Sequence, residues 1–269
     1  MNTNQTIGII GCGWLGRPLA NGLLEDGYRI HGSTTSLEKL SALASDGIEP
    51  FLIELSKDKI EGDISGFLLN CDTIIINIPP GLRKGHDDYK PKMTRLCQNI
   101  ENSHVKHVLF IGSTSVYDDT FPIATITESS ETSQTNKAKL LLSVEELFQN
   151  NAHFKTTILR FSGLFGEDRH PAKFLSGRTQ IKNPDGPVNL IHLQDCVAII
   201  RKLIATQLWN EILNASSTSH PTRKTYYSEV CKAMNIPEPV FDESELSRGK
   251  IISSDKLVQL LKYEFRIQL

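Results

Sequence analysis

Thr6-Ile-Gly-Ile-Ile10, then Gly11-Cys-Gly-Trp-Leu-Gly16, then Arg17-Pro-Leu-Ala-Asn-Gly-Leu-Leu-Glu25 decide the fold. The first five residues form a short apolar run closed by glycine, the pattern of a buried strand. From Trp14 to Glu25 the apolar residues Trp14, Leu15, Leu19, Ala20, Leu23 and Leu24 recur at helical spacing, and Gly27 supplies the residue that ends such a helix. Tyr28 to Gly32 reads as a second strand. Ser36 reads as the cap of a helix running to about Ala44, stopped by Gly47.

The alternation continues down the chain. Thr73 to Ile78 is nearly all β-branched and is closed by Pro79-Pro80-Gly81. A helix is expected over Tyr89–Asn102, a strand over Val105–Ile111, a helix over Asn136–Gln149 and a strand over Thr156–Phe161. Strands separated by helices of this length imply parallel βαβ units. The predicted fold class is therefore α/β, a doubly wound, mostly parallel sheet of the Rossmann type. Regularity weakens after Gly163. A strand over 188–191, a helix over 194–206 and a strand over 212–214 follow. The end of the chain holds Pro237 and Pro239, an acidic stretch (Asp242, Glu243, Glu245) and a last helix near 254–261. The expected organisation is a dinucleotide-binding domain over 1–165, to which 189–216 return, and a small C-terminal substrate lobe made of 166–188 and 217–269.

The glycine spacing carries chemistry. In Gly11-x-Gly13-x-x-Gly16 the first glycine permits a tight turn, the second lets backbone approach a pyrophosphate, and the third lets helix pack on strand. The helix start then turns unpaired N–H groups and a partial positive charge toward phosphates. Gly11, Gly13, Trp14, Leu15 and Gly16 are thus the expected pyrophosphate cradle. Enzymes using NAD usually place Asp or Glu about 20 residues further on, against the ribose hydroxyl. Here that region is His31-Gly-Ser-Thr-Thr35, without an acid, and Arg17 and Lys39 lie nearby in sequence. Ser33, Thr34 and Thr35 are expected to face the adenosine ribose. NADP is favoured as the cofactor, with NAD the alternative.

Composition narrows the partners. Of 269 residues, 39% are hydrophobic and 22% charged, and the formal net charge is −2, so no basic stripe argues for nucleic acid. No apolar stretch approaches the roughly 20 residues needed to span a bilayer. The opening Met1-Asn-Thr-Asn-Gln-Thr6 lacks the basic-then-apolar pattern of a secretory signal. Five cysteines without a Cys-x-x-Cys pair suit free thiols in a reducing compartment, so a cytoplasmic location is expected. His104 and His107 have no third ligand nearby, and no zinc spacing occurs; no metal is expected. Cys12 sits in the phosphate turn, where a helix start lowers a thiol pKa, although packing is the favoured reason for it.

Three further stretches bear a resemblance: Ile111-Gly-Ser-Thr-Ser-Val-Tyr117, Leu159-Arg-Phe-Ser-Gly-Leu-Phe-Gly166, and Asn189-Leu-Ile-His-Leu-Gln-Asp195 with Asn214-Ala-Ser216. Together with the glycine turn, they make the chain resemble the extended short-chain dehydrogenase/reductases, the NAD(P)-dependent epimerase/dehydratase group, in a bacterial branch described as nucleoside-diphosphate-sugar epimerase-like. The resemblance implies a catalytic Ser, Tyr and Lys, the last two as Tyr-x-x-x-Lys. Residues four apart share a helix face, so the Lys cation can favour the Tyr phenolate, the general base. Ser113 matches the serine, which orients the substrate carbonyl. Lys139 matches the lysine, which also binds the nicotinamide ribose. The tyrosine position is Thr135, a residue that does not ionise usefully near neutral pH. Tyr117, or a water held by Thr135, is the candidate substitute base.

The same resemblance directs substrate contacts to the cationic segment after Gly166, above all Arg169, His170 and Lys173. Asp195 reads as a helix N-cap and His192 as a structural histidine. The sequence thus predicts an NADP-favouring oxidoreductase or epimerase-like protein acting on a small polar substrate, with nucleotide-sugars among the candidates and a homodimer as the candidate assembly. The alternative is a non-catalytic NADP(H)-binding redox sensor or interaction module.

Overall fold

A computed structural model describes residues 5–81, 88–244 and 246–269; Glu245 of the acidic stretch and the first four residues lie outside the described residues. The first elements are β1 (Thr6–Ile10), α1 (Gly16–Glu25), β2 (Arg29–Thr34), α2 (Leu40–Ser45), β3 (Glu49–Leu52), β4 (Glu54–Leu55), β5 (Ile60–Glu61), α3 (Ile64–Leu68), β6 (Cys71–Ile76), α4 (Tyr89–Glu101) and β7 (His107–Ser113). They continue as β8 (Ala124–Ile126), α5 (Asn136–Gln149), β9 (Lys155–Phe161), β10 (Gly163–Phe165), α6 (Ala172–Leu175), β11 (Leu190–His192), α7 (Leu193–Thr206), β12 (Ile212–Ala215), α8 (Arg223–Ala233), β13 (Lys250–Ile252) and α9 (Asp255–Leu261).

Seven strands form one sheet in the order β12-β9-β7-β6-β1-β2-β3. The pairings β2–β3, β1–β2, β1–β6 and β6–β7 are all parallel. The order reverses at β1, as in dinucleotide-binding sheets. The chain separates into two compact units. The first holds residues up to 112, 135–159 and 200–212; the second holds 113–134, 160–199 and 213–269. The second unit contains the whole of the expected lobe and also takes 113–134, 160–165, 189–199 and 213–216.

In the first unit every residue of β1 is buried, and Leu19, Leu23, Phe67, Ile74 and Ile75 fill the core. α1 ends on Gly27 at φ +88°. The amides of Gly27 and Tyr28 return to the carbonyls of Leu24 and Leu23, which satisfies the last turn. The second strand runs two residues further than expected, because Ser33 and Thr34 pair with Phe51 and Leu52. Their partner β3 escaped the sequence reading: it is an edge strand with no buried residue, and it tolerates Pro50 for that reason. The helix expected from Ser36 begins as a tight turn over Leu37–Lys39, and Ser36 makes no side-chain cap there. Among the described residues no helix is long and apolar enough to cross a membrane.

In the second unit β10 pairs with β11 and β8 with β13, both in parallel. A cluster of Phe165, Val188, Leu190, Tyr226, Tyr227 and Cys231 forms its core, with Ile267 and Leu269 of the chain's end packed against it. Asp195 is not the helix cap expected of it. The helix already starts at Leu193, and His192 Nδ1 accepts the Gln194 amide at 3.2 Å instead. The fully buried Asp195 carboxylate accepts from the Tyr263 hydroxyl at 2.6 Å and from the amides of Arg266 and Ile267 at 2.8 and 3.2 Å. It tethers the chain's end, and burial next to this anion raises the Tyr263 pKa. Removing the carboxylate strands three donors, so Asp195→Ala should lower unfolding free energy in urea by about 3 kcal/mol. A loss below about 1 kcal/mol would show that the tether contributes little.

Candidate functional site

The glycine turn joins β1 to α1 in the first unit. Gly11 sits at φ +101°, and a side chain there would collide with the Asn77 carbonyl. The turn is braced from two sides. Gly11 N donates to Ser33 Oγ at 3.0 Å and Cys12 N to the Ser33 carbonyl at 2.8 Å. Asn77 Nδ2 donates to the Gly11 carbonyl at 3.0 Å, and Asn77 N to the Ile10 carbonyl at 2.9 Å. A Cβ on Gly16 would strike the Gly11 carbonyl, so helix and turn are in backbone contact. Gly13 differs from both: it is exposed, and a Cβ there would meet nothing. Leu15 is buried and Trp14 half-buried beside it. No side chain caps α1, and its first turn holds no acid. The arrangement is an open backbone surface at a positive helix end, suited to an anion. Asn77 was not singled out from sequence, although one polar residue inside the β-branched run Thr73–Ile78 was its signal.

Of the residues expected at the ribose, Ser33 is buried with its hydroxyl on Gly11, and Thr34 is buried with Oγ1 accepting the Ser36 amide at 3.2 Å. Thr35 is exposed. The guanidinium of Arg17 is held by Asp46 at 2.5 and 3.0 Å. Burial pushes the Cys12 thiol up to about 12, more than the neighbouring hydrogen bond lowers it. It is therefore a packed thiol at neutral pH, and all five cysteines are buried and free.

Thr135 is the N-cap of α5. Its hydroxyl accepts the Ala138 amide at 3.3 Å, a helix-capping role. Lys139 follows on the same helix, exposed, and among the described residues no hydrogen bond or ion pair engages its ammonium.

Ser113 and Tyr117 belong to the second unit. Ser113 Oγ donates to Ser115 Oγ at 3.0 Å and accepts the Ser115 amide at 3.2 Å, closing a short turn. Tyr117 is buried. Its hydroxyl donates to Asn214 Oδ1 at 3.2 Å and accepts from Arg160 at 2.6 Å, and the guanidinium carbon lies 5.3 Å from its ring centre. Asn214 is fixed in turn by Glu128, whose carboxylate accepts its amide at 2.7 Å. The phenol is a member of a buried network.

Arg169 and Lys173 are exposed, and Lys173 Nζ reaches the Glu167 carbonyl at 3.4 Å. His170 is buried: Nδ1 accepts the Ala172 amide and Nε2 lies 3.2 Å from the Tyr226 hydroxyl. Burial lowers its pKa, which keeps the ring neutral. None of these three lines the second unit's cavity of about 360 Å³. Its walls include Ser113, Ser162, Asn189, Arg223, Tyr227 and Lys250. Sequence reading missed Arg223 and Lys250. Arg223 opens α8, a helix capped by Thr222, and its Nε is buried without a partner. Lys250 donates to the Tyr117 carbonyl at 2.7 Å and pairs with Asp119 at 3.0 Å. The only sequence signal for Lys250 was an apolar pair behind it, Ile251-Ile252. No group of three or more metal-ligating side chains occurs among the described residues.

A family description of the NAD binding domain of 6-phosphogluconate dehydrogenase matches residues 6–133. Protein YeeZ of Escherichia coli is 30% identical over 97% of this chain and 96% of its own. The chain belongs to the family of protein YeeZ. Solved structures share the fold of this family. The UDP-glucuronic acid 4-epimerase of Bacillus cereus, in complex with NAD, aligns at a TM-score of 0.81 with 15% identity, over 98% of this chain and 93% of its own. A short-chain dehydrogenase/reductase superfamily protein of Agrobacterium tumefaciens with bound NAD aligns at 0.76 with 15% identity, over 98% and 93%. The YeeZ-family chain thus carries an NAD-binding oxidoreductase or epimerase-like fold.

The glycines of this YeeZ-family turn should separate by role. Gly13→Ala should weaken NADPH binding at least about tenfold while shifting unfolding free energy by less than about 1 kcal/mol, since open space receives the methyl. Gly16→Ala should cost about 1–3 kcal/mol through backbone collision. Calorimetry and urea unfolding of the two variants check this, and the reverse pattern would contradict it.

Proposed function

We propose that this chain is an NADP-favouring oxidoreductase or epimerase-like enzyme acting on a small polar substrate. It rests on the open Cα of Gly13, where an added β-carbon would meet nothing, at the uncapped start of α1, a helix end suited to a diphosphate. Gly11, Gly13, Trp14, Leu15 and Gly16 hold the diphosphate. Lys139, exposed and without a partner among the described residues, is assigned to the nicotinamide ribose. The bound cofactor supplies hydride chemistry. The protein supplies position, an oriented hydroxyl at Ser113, and the cavity of the second unit for the substrate.

The preference for NADP is supported by the strand end. β2 runs into Ser33-Thr34-Thr35-Ser36 with no acid to repel a 2′-phosphate. With Arg17 committed to Asp46, the exposed Thr35 and Lys39 are the groups assigned to that phosphate. A nucleotide-linked sugar remains among the candidate substrates, in line with the UDP-glucuronic acid and NAD bound by the Bacillus cereus epimerase.

One observation favours a second reading, NADP(H) binding without turnover. The Thr135 hydroxyl is engaged in capping α5, and the Tyr117 phenol is held between Arg160 and Asn214. Neither is placed as a free base.

Calorimetry with NADP, NADPH, NAD and NADH in parallel tests the cofactor assignment. The expected result is micromolar affinity for the phosphorylated pair and weaker binding of NAD and NADH; the reverse ranking would refute the reading of the strand end. Turnover of NADPH against a carbonyl panel separates enzyme from sensor. Lys139→Met should reduce it far more than Thr135→Ala, whose main effect should be about 1 kcal/mol of lost stability. Equal and negligible effects on turnover would remove the enzyme assignment.

A further inference from the structure

The cavity of the second unit has an unusual charge inventory. Among the described residues three charged side chains line it: Asp119, Arg223 and Lys250. Lys250 is largely buried and spends its ammonium on the Asp119 carboxylate at 3.0 Å and the Tyr117 carbonyl at 2.7 Å. An ammonium has three N–H donors, so one is left over. Asn189 holds this lysine's strand from both ends of its amide, donating to the Lys250 carbonyl at 2.7 Å and accepting the Ile252 amide at 2.9 Å. The position of the ammonium is therefore built in.

Among the described residues no carboxylate pairs with Arg223, its Nε is buried without a partner, and its guanidinium carbon lies 5.8 Å from the ring centre of Tyr227. A guanidinium laid against an aromatic face keeps its forked N–H edge in one plane, the geometry that accepts a planar oxyanion at two points. A second wall carries an unused hydroxyl. Ser162 is only 7% exposed and its Oγ has no hydrogen-bond partner, although buried hydroxyls are normally satisfied. Two cations, one anion and an orphaned buried hydroxyl share a space of about 360 Å³, near the small end of ligand cavities.

We propose that this cavity is the recognition site for a carboxylate on a compact, singly charged substrate. Arg223 takes the two carboxylate oxygens, Lys250 adds a third donor, and Ser162 receives or donates at the adjoining polar group. The lining's surplus of one positive charge matches a monoanion. A nucleoside diphosphate brings more negative charge and more bulk than this lining balances. The inference rests on the reading of the chain as a nicotinamide-dinucleotide protein with a small polar substrate, and it narrows that substrate to small hydroxy or oxo monocarboxylates.

The test uses the full chain, saturated with NADPH in one set of samples and free in another. Lactate, its neutral isostere lactamide, inorganic phosphate and UDP are titrated separately, with amide chemical shifts as the readout. Lactate should perturb residues around Ser162, Arg223 and Lys250, and lactamide should bind at least tenfold more weakly. Arg223→Gln should weaken lactate at least tenfold while NADPH affinity, which also reports folding, stays within twofold. If that variant does not fold, Lys250→Gln serves in its place, and the lactate–lactamide contrast needs no variant. Equal binding of lactamide, tighter binding of phosphate or UDP at these residues, or no perturbation by lactate would each overturn the proposal. When lactate fails and NADPH still binds, the carboxylate site alone falls. When NADPH fails as well, the cofactor reading falls with it.

Discussion

At Gly11 the chain leaves β1 at φ +101°, pressed against the Asn77 carbonyl where a β-carbon has no room. Everything near the proposed cofactor site follows from that contact. The turn must be glycine, the next strand must end in a residue that can take up the Gly11 amide, and the following helix must start close enough for Gly16 to touch the Gly11 carbonyl. Ser33 in β2 and Asn77 just past the end of β6 meet those demands from either side of β1. Of the three glycines in the turn, Gly13 alone faces open space, where a ligand rather than protein can sit.

The hydroxyl-rich end of β2 also serves the fold. Ser33 is interior and braces the turn, and Thr34 fixes the start of the next segment. Thr135, proposed from resemblance for a catalytic position, caps α5, while Lys139 stays exposed on that helix. A threonine hydroxyl offers no ionisable base near neutral pH. The second unit offers a different resource, a cavity whose cations outnumber its anions.

Much of the fold was legible because its signals are local. The apolar run of β1, the glycine spacing and the β-branched β6 each announce themselves within a few residues, and the parallel order follows from their alternation with helices. Edge strand β3 was hidden because it buries nothing and contains proline. The ends of β2 and the roles of Asp195 and Tyr117 were hidden for another reason. Asp195 is defined by partners 68 to 72 residues away, and Tyr117 by Asn214, 97 residues away. Spacing within a motif carries no record of such contacts. The same holds for Arg223 and Lys250, which meet at one cavity through the parallel pairing of β8 with β13 and the start of α8, while the basic residues conspicuous in sequence, Arg169 and Lys173, stand exposed away from it.

Under the proposed function, backbone at the start of α1 receives the diphosphate of a nicotinamide dinucleotide. The decisive experiment follows backbone amide shifts across the whole chain during a titration with NADPH. The largest saturable changes should fall on residues 11–17, with Ser33 and Asn77 following at the same midpoint. Changes confined to other segments, with the amides of Gly13 to Arg17 unmoved at saturation, would contradict it.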